Sequence, residues 1–206
     1  MGARRGLAVA TAALAWFGLI LQFVIFAQAV GLATAGWRFI GFFTILSNFA
    51  IGCIATAIAA GGENRLTSPR AMLMGLTAII TVGFVYSLLL RSLWDPQGLQ
   101  KIADAILHDM TPILFALLWA IGPHGALRWT DLKWALVPPA LYLAYAMTRG
   151  AFDGWYPYYF LDPALQSAAE LVTGIGGVLA VFALIAASGI AIDRRLAARR
   201  AEARPG

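Results

Sequence analysis

The segment GWRFIGFFTILSNF, Gly36 to Phe49, sets a Trp-Arg pair ahead of an apolar run that then takes in Thr44, Ser47 and Asn48. Three side chains with hydrogen-bonding needs stand in a stretch otherwise suited to hydrocarbon. Whether that stretch is a membrane span decides how the rest of the chain is read. Its uncharged part, 39–60, has counterparts at 7–30, 71–90 and 171–192, none of which carries a charge. At 1.5 Å per residue each is long enough to cross roughly 30 Å of hydrocarbon.

Composition agrees with that reading. Of 206 residues, 61% are hydrophobic and 12% charged, where a soluble domain carries about a quarter charged residues; the mean hydropathy is +0.77. Two further segments are less clean. Residues 105–122 are apolar apart from His108 and Asp109, and 134–149 are uncharged through Thr148 but contain Pro138 and Pro139. Either has the length of a buried soluble helix, so five spans is the competing count. The expected fold is all-α: a polytopic membrane protein, one domain over 1–206, with six transmembrane helices. The first apolar run is too long for an ordinary signal-peptide core and lacks a small-residue cleavage site. The single cysteine, Cys53, rules out an intrachain disulfide.

Loop charge orients the bundle. With six spans, one side holds Arg4, Arg5, Arg65, Arg70, Arg128, Lys133, Arg194, Arg195, Arg199, Arg200 and Arg204, the other Arg38, Arg91, Lys101 and Arg149. The positive-inside rule then puts both termini in the cytoplasm, and a bacterial inner membrane is the expected location. The Arg-rich tail has no stacking aromatics, so it reads as a headgroup anchor rather than a nucleic-acid contact.

The loops carry their own signals. Residues 31–38 read as a tight external loop, Ser68-Pro69 as an N-cap followed by proline at the first helical position, and Thr130 or Asp131 as a cap for the next helix. The longest loop holds Trp155, Tyr156, Tyr158, Tyr159 and Phe160 between Asp153 and Asp162. It reads either as an aromatic belt at headgroup depth or as a lid over an externally opening cavity. Gly174, Gly176 and Gly177 read as close-packing positions rather than a phosphate loop.

The polar residues then fall at comparable depth. Thr44 lies about seven residues below Trp37, roughly 10 Å in, and His108 about four residues past Asp104, roughly 6 Å in. Thr44, Ser47 and Asn48 share one helix side, as do Asp104, His108 and Thr111, while Asp109 points elsewhere. Pro112 frees the His108 carbonyl. Intramembrane ionisable groups are costly unless paired or facing a wet cavity, so a shared internal site is expected. The blander alternatives are hydroxyls bonded back to their own helix, Asn48 as interhelical glue, and a structural His108–Asp109 pair. No metal or cofactor is expected: His124 falls on the opposite side, leaving His108 with Asp104 and Asp109 alone.

At these residues the sequence resembles a family of six-span membrane proteins, the androgen-induced and androgen-dependent proteins of animals and their bacterial relatives. WRFIGFFTILSNF resembles the family's second-span motif and ILHDMTPIL its fourth-span histidine motif. The resemblance implies hydrolysis of fatty acid esters of hydroxy fatty acids by a threonine nucleophile at Thr44 and a histidine at His108. FFTILSN and YPYYFLDP look more like the bacterial branch, whose substrates the resemblance leaves open. The supporting roles come from spacing and depth: Asp104, then Asp109, to orient His108; Asn48, or Ser47, to donate to an oxyanion; Arg38 or Arg91 to hold a substrate carboxylate; Trp155, Tyr156, Tyr158 and Tyr159 to line the mouth. The expected partners are an amphiphilic lipid or fatty acyl ester and the surrounding membrane lipids, with no nucleic acid. A non-enzymatic amphiphile-binding, transport or sensor protein using the same polar cavity is the alternative.

Overall fold

A computed structural model describes residues 2–62 and 64–202; Arg204 of the charge tally lies outside them. The described residues are helical throughout their regular structure, with no strand. Four helical rods are long and apolar enough to cross a membrane: Gly2–Val30, Pro69–Leu93, Leu99–Ala120 and Ala168–Arg199. A fifth arises if Leu32–Phe39 and Phe43–Ala59, which meet at 77°, together form one span.

In chain order the helices are α1 (Gly2–Val30), α2 (Leu32–Phe39), α3 (Phe43–Ala59), α4 (Pro69–Val85), α5 (Leu99–Ala105), α6 (Thr111–Ala120), α7 (Leu132–Ala135), α8 (Val137–Asp153) and α9 (Ala168–Glu202). Two rods contain a π-turn: α4 runs on through Tyr86–Leu90, and α5 joins α6 through Ile106–Met110. Apolar side chains stand on the outer surface as well as in the core. Phe17, Ile20, Leu117, Val172 and Leu184 face outward, while Thr11, Asn48, Thr77, Thr81 and Thr111 are buried. That outer surface is one hydrocarbon solvates. The core gathers Ile51, Ile54, Ile79, Val82, Phe115 and Leu118, where α3, α4 and α6 pack beside α1. A second cluster of Leu73, Leu127, Ala135, Ala186 and Ile190 seats α9 on α4 and α7.

The local signals fare unevenly. Ser68 caps α4, its Oγ accepting the Ala71 N–H at 3.3 Å, with Pro69 in the first turn. Asp131 gives α7 no side-chain cap; its carboxylate accepts the Arg128 N–H at 2.9 Å and pairs with Arg70 at 2.7 Å. Pro138 and Pro139 open α8 rather than interrupt it, because a proline at the start of a helix has no N–H to lose. That helix has 17 residues, roughly 25 Å by helical rise. Gly176 and Gly177 of α9 have open space where a Cβ would stand, so they are not close-packing positions.

The largest departure lies in the opening segment. Residues 31–38, expected as a tight loop, include most of α2, and the expected span 39–60 breaks before α3 begins at Phe43. The break is held from α8. The Tyr142 and Tyr145 hydroxyls donate to the carbonyls of Gly41 and Ile40 at 2.9 and 3.2 Å. Arg149 Nη2 donates to the Trp37 carbonyl at 2.8 Å. Gly41 is required here, since a Cβ would stand 2.7 Å from the Trp155 ring.

Candidate functional site

The break puts Thr44 in the first turn of α3, so depth counted along one straight helix from Trp37 does not apply. On the other side, the α5 rod starts at Leu99, and the π-turn carries His108. Residues 64 positions apart then meet, with Thr44 Oγ1 3.4 Å from His108 Nε2. The other ring nitrogen faces two acceptors: Nδ1 lies 3.1 Å from the Asp104 carbonyl and 3.1 Å from Asp104 Oδ1. With only acceptors beside it, Nδ1 carries the proton, which leaves the Nε2 lone pair facing the Thr44 hydroxyl.

Tyr86 lies flat on the imidazole, ring centroids 3.7 Å apart and planes 14° from parallel. Its hydroxyl accepts from Trp94 Nε1 at 3.0 Å. The His108 carbonyl, deprived of its helical donor by Pro112, packs against Gly83, where a Cβ would stand 2.8 Å from that oxygen. Both π-turns therefore face each other across the site, a feature frequent at functional positions.

Asn48 is committed elsewhere. Its Nδ2 donates to the Thr44 carbonyl of its own helix at 2.9 Å and to the Leu107 carbonyl at 3.1 Å, so both amide hydrogens are engaged and the second ties α3 to the His108 turn. This corrects its expected oxyanion role and matches the glue alternative. Ser47 is buried, and its hydroxyl meets no hydrogen-bond partner among the described residues. Asp109 pairs with Arg91 at 2.5 Å rather than with His108, which also occupies the arginine expected to hold a substrate carboxylate. Arg38 lies over the Trp155 ring, 5.2 Å from its centroid.

The aromatic loop divides. Pro157 and Tyr158 line the Thr44–His108 cavity, whereas Tyr159 is exposed. Trp155 packs edge-on against Phe42, and Tyr156 lies against Gly150. The Asp153 carboxylate accepts from the Trp37 indole N–H at 2.6 Å and from the Trp155 amide at 3.0 Å. Tyr158 reaches furthest in, its hydroxyl accepting the Thr44 N–H at 3.4 Å. Burial raises its phenol above the ordinary tyrosine range, although the Thr44 side chain and the backbone N–H groups of Thr44 and Phe43 oppose that. A neutral O–H is therefore held beside Thr44.

Two cavities meet at this point. A cavity of about 400 Å³ is lined by Gln22, Trp94, Gln100, Asp104 and His108. A smaller one of about 80 Å³ has apolar walls from Phe43, Leu143, Val178, Leu179 and Phe182. Thr44, Tyr86, Leu90 and Tyr158 line both. Tyr86, Gly83, Gln22 and Gln100 escape a sequence reading because none is charged. A tyrosine near the end of an apolar span also reads as an interface anchor.

Among the described residues, no three His, Cys, Asp or Glu side chains come together. No protein-family model, curated protein or solved structure matches the chain. Fold and site thus define a helical protein with helices long and apolar enough to cross a membrane and a Thr–His pair between two cavities, and its chemistry is read from that geometry.

Proposed function

We propose that this protein is an intramembrane threonine–histidine hydrolase of lipid esters, fatty acid esters of hydroxy fatty acids being the class its family resemblance implies. The observation that carries the reading is the Thr44 hydroxyl 3.4 Å from His108 Nε2, at the long end of hydrogen-bonding reach, as is usual without substrate. The protein has six spans, α8 and the bent α2–α3 pair each counting as one, with both termini in the cytoplasm of a bacterial inner membrane.

Thr44 Oγ1 attacks the ester carbonyl carbon while its proton passes to His108 Nε2. The carbonyl C=O becomes an oxyanion, to which the neutral Tyr158 O–H donates. The tetrahedral species collapses, the bond from carbonyl carbon to alkoxy oxygen breaks, and His108 protonates the departing alkoxide. Water then attacks the threonyl ester, gives a proton to His108, and releases the fatty acid as Thr44 takes that proton back. Asp104 Oδ1, 3.1 Å from Nδ1, steadies the imidazolium in both halves.

The test is turnover of long-chain acyl esters by purified protein in detergent and in liposomes, with T44A and H108A run beside wild type. Loss of turnover by about 10³-fold or more in both folded variants is expected. Full activity in T44A would sink the nucleophile. A non-enzymatic amphiphile-binding protein is the second reading, favoured by the apolar pocket beside Thr44; no wild-type turnover on any ester would select it.

A further inference from the structure

Thr44 stands in the shared wall of the two cavities, both of them mainly apolar, and the two differ in the polar groups that each adds. His108, Asp104, Gln22 and Gln100 line only the larger one. There the glutamine amides pair, Gln100 Nε2 donating to Gln22 Oε1 at 2.7 Å. The smaller has side chains from α8 and α9, Leu143, Val178, Leu179 and Phe182, and almost no polar surface.

We infer that the two cavities receive the two halves of one ester: the first carbons of the fatty acyl arm in the apolar pocket between α4, α8 and α9, the rest of the chain leaving through its open side, and the alcohol arm in the cavity that contains His108. This rests on the hydrolase reading and follows from where protons must go. The alkoxy oxygen leaves with a proton from His108, so the alcohol half departs on the side His108 faces. The acyl half, bonded to Thr44 after that step, extends to the other side, where apart from Thr81 and Tyr142 the further side chains are apolar. An amphiphile whose alcohol arm bears its own polar group fits the larger cavity, with its amides and the Trp94 edge. A plain alkyl alcohol leaves those groups without a substrate partner.

The experiment has a binding arm and a turnover arm, both on the full chain in phosphatidylcholine nanodiscs. Palmitic acid carrying a diazirine on its chain is photolysed with wild-type and T44A protein, and adducts are mapped by peptide mass spectrometry. Adducts on Leu143 and 178–182, displaced by excess palmitate, are expected; bulk phospholipid chains merely brushing the site would give labelling that does not saturate. Adducts confined to the Gln22, Trp94 and Gln100 side, or no saturable adducts, overturn the assignment. In the turnover arm, V178W shifts preference from palmitoyl to octanoyl esters by about tenfold or more, the equivalent of a few lost methylene contacts, and leaves preference for the alcohol part unchanged. A shift in the alcohol part instead also overturns it. Intact α8–α9 labelling without turnover of any ester would sink the hydrolase reading alone, because labelling requires no chemistry.

Discussion

The rings of Tyr86 and His108 lie face to face, 3.7 Å between centroids, each on a π-turn of a different helical rod. A helix with a regular repeat would carry one of the two rings round to another face, so the stack exists because both rods slip register at the same level. Its role is to fix the plane in which the Nε2 lone pair meets Thr44. Replacing Tyr86 with leucine therefore lowers kcat by about tenfold, the equivalent of an aromatic contact of about 1–1.5 kcal/mol. Y86F keeps the ring and stays within about threefold of wild type. Steady-state kinetics of the pair checks this, and equal losses in both would shift the role to the hydroxyl.

Gly83 tests the same geometry from behind. A methyl group there would stand 2.8 Å from the His108 carbonyl oxygen, so G83A must push the π-turn away from α4. Displacing a catalytic group by a fraction of an ångström to one ångström costs up to about 10²-fold in kcat. The expected signature is a fall in kcat with KM nearly unchanged and α-helical circular dichroism intact. A change confined to KM would point to the cavity wall instead.

Asn48 makes a stability prediction. N48A removes both amide donors and leaves the Leu107 carbonyl without its side-chain partner, which destabilises by about 1–2 kcal/mol on the scale of interhelical hydrogen bonds. Unfolding in mixed micelles measures it. A wild-type midpoint with lost turnover would restore the oxyanion role.

The Arg91–Asp109 pair is half exposed, with side chains 45% and 39% accessible. Pairs of that kind contribute about 0–1 kcal/mol, so D109N leaves the melting temperature almost unchanged. It also releases from its carboxylate a guanidinium that lies over the Tyr86 ring, 5.0 Å from its centroid, and Tyr86 lines the cavity. KM for esters bearing a free carboxylate is expected to fall in D109N, while KM for esters without one stays constant.

Asp131 supplies a pH dependence. Burial raises its carboxyl pKa, but the Arg128 N–H and the Arg70 guanidinium outweigh burial and leave it below the usual range. A depressed folded-state pKa means that its stabilisation is fully present above the ordinary aspartate value of about 3.9 and is lost as pH falls through the folded value. Wild type is thus more stable than D131N at neutral pH, and the gap closes on acidification below about pH 4. A gap independent of pH would show that charge is not what Asp131 contributes.

Much of this was legible in the residues, and what was not had specific causes. Uncharged length gave the long helices, because an 18-residue window without charges has few other readings, and Ser68-Pro69 marked the start of α4. Thr44 and His108 drew attention because a histidine amid apolar residues needs a partner. The break at 40–42 stayed hidden because Gly41 is a single glycine in an apolar run. What requires it is the Trp155 ring and the donors of α8, more than a hundred residues later. Asn48 misled for a similar reason: its acceptors are backbone carbonyls, which no side-chain pattern displays. The π-turns are equally silent, since one additional residue in a turn changes no residue type.

The stitching of the α2–α3 break by α8 sets an order of events during synthesis. The carbonyls of Trp37, Ile40 and Gly41 take their donors from Arg149, Tyr145 and Tyr142. Tyr142 lies 101 residues beyond Gly41, about 5–20 s of elongation. Before α8 is made, those carbonyls have none of these side-chain donors. The bend, and with it the position of Thr44 against His108, is held in this way only once α8 has been made. A chain interrupted before residue 142 thus holds the threonine and the histidine but lacks the donors that hold Thr44 against His108.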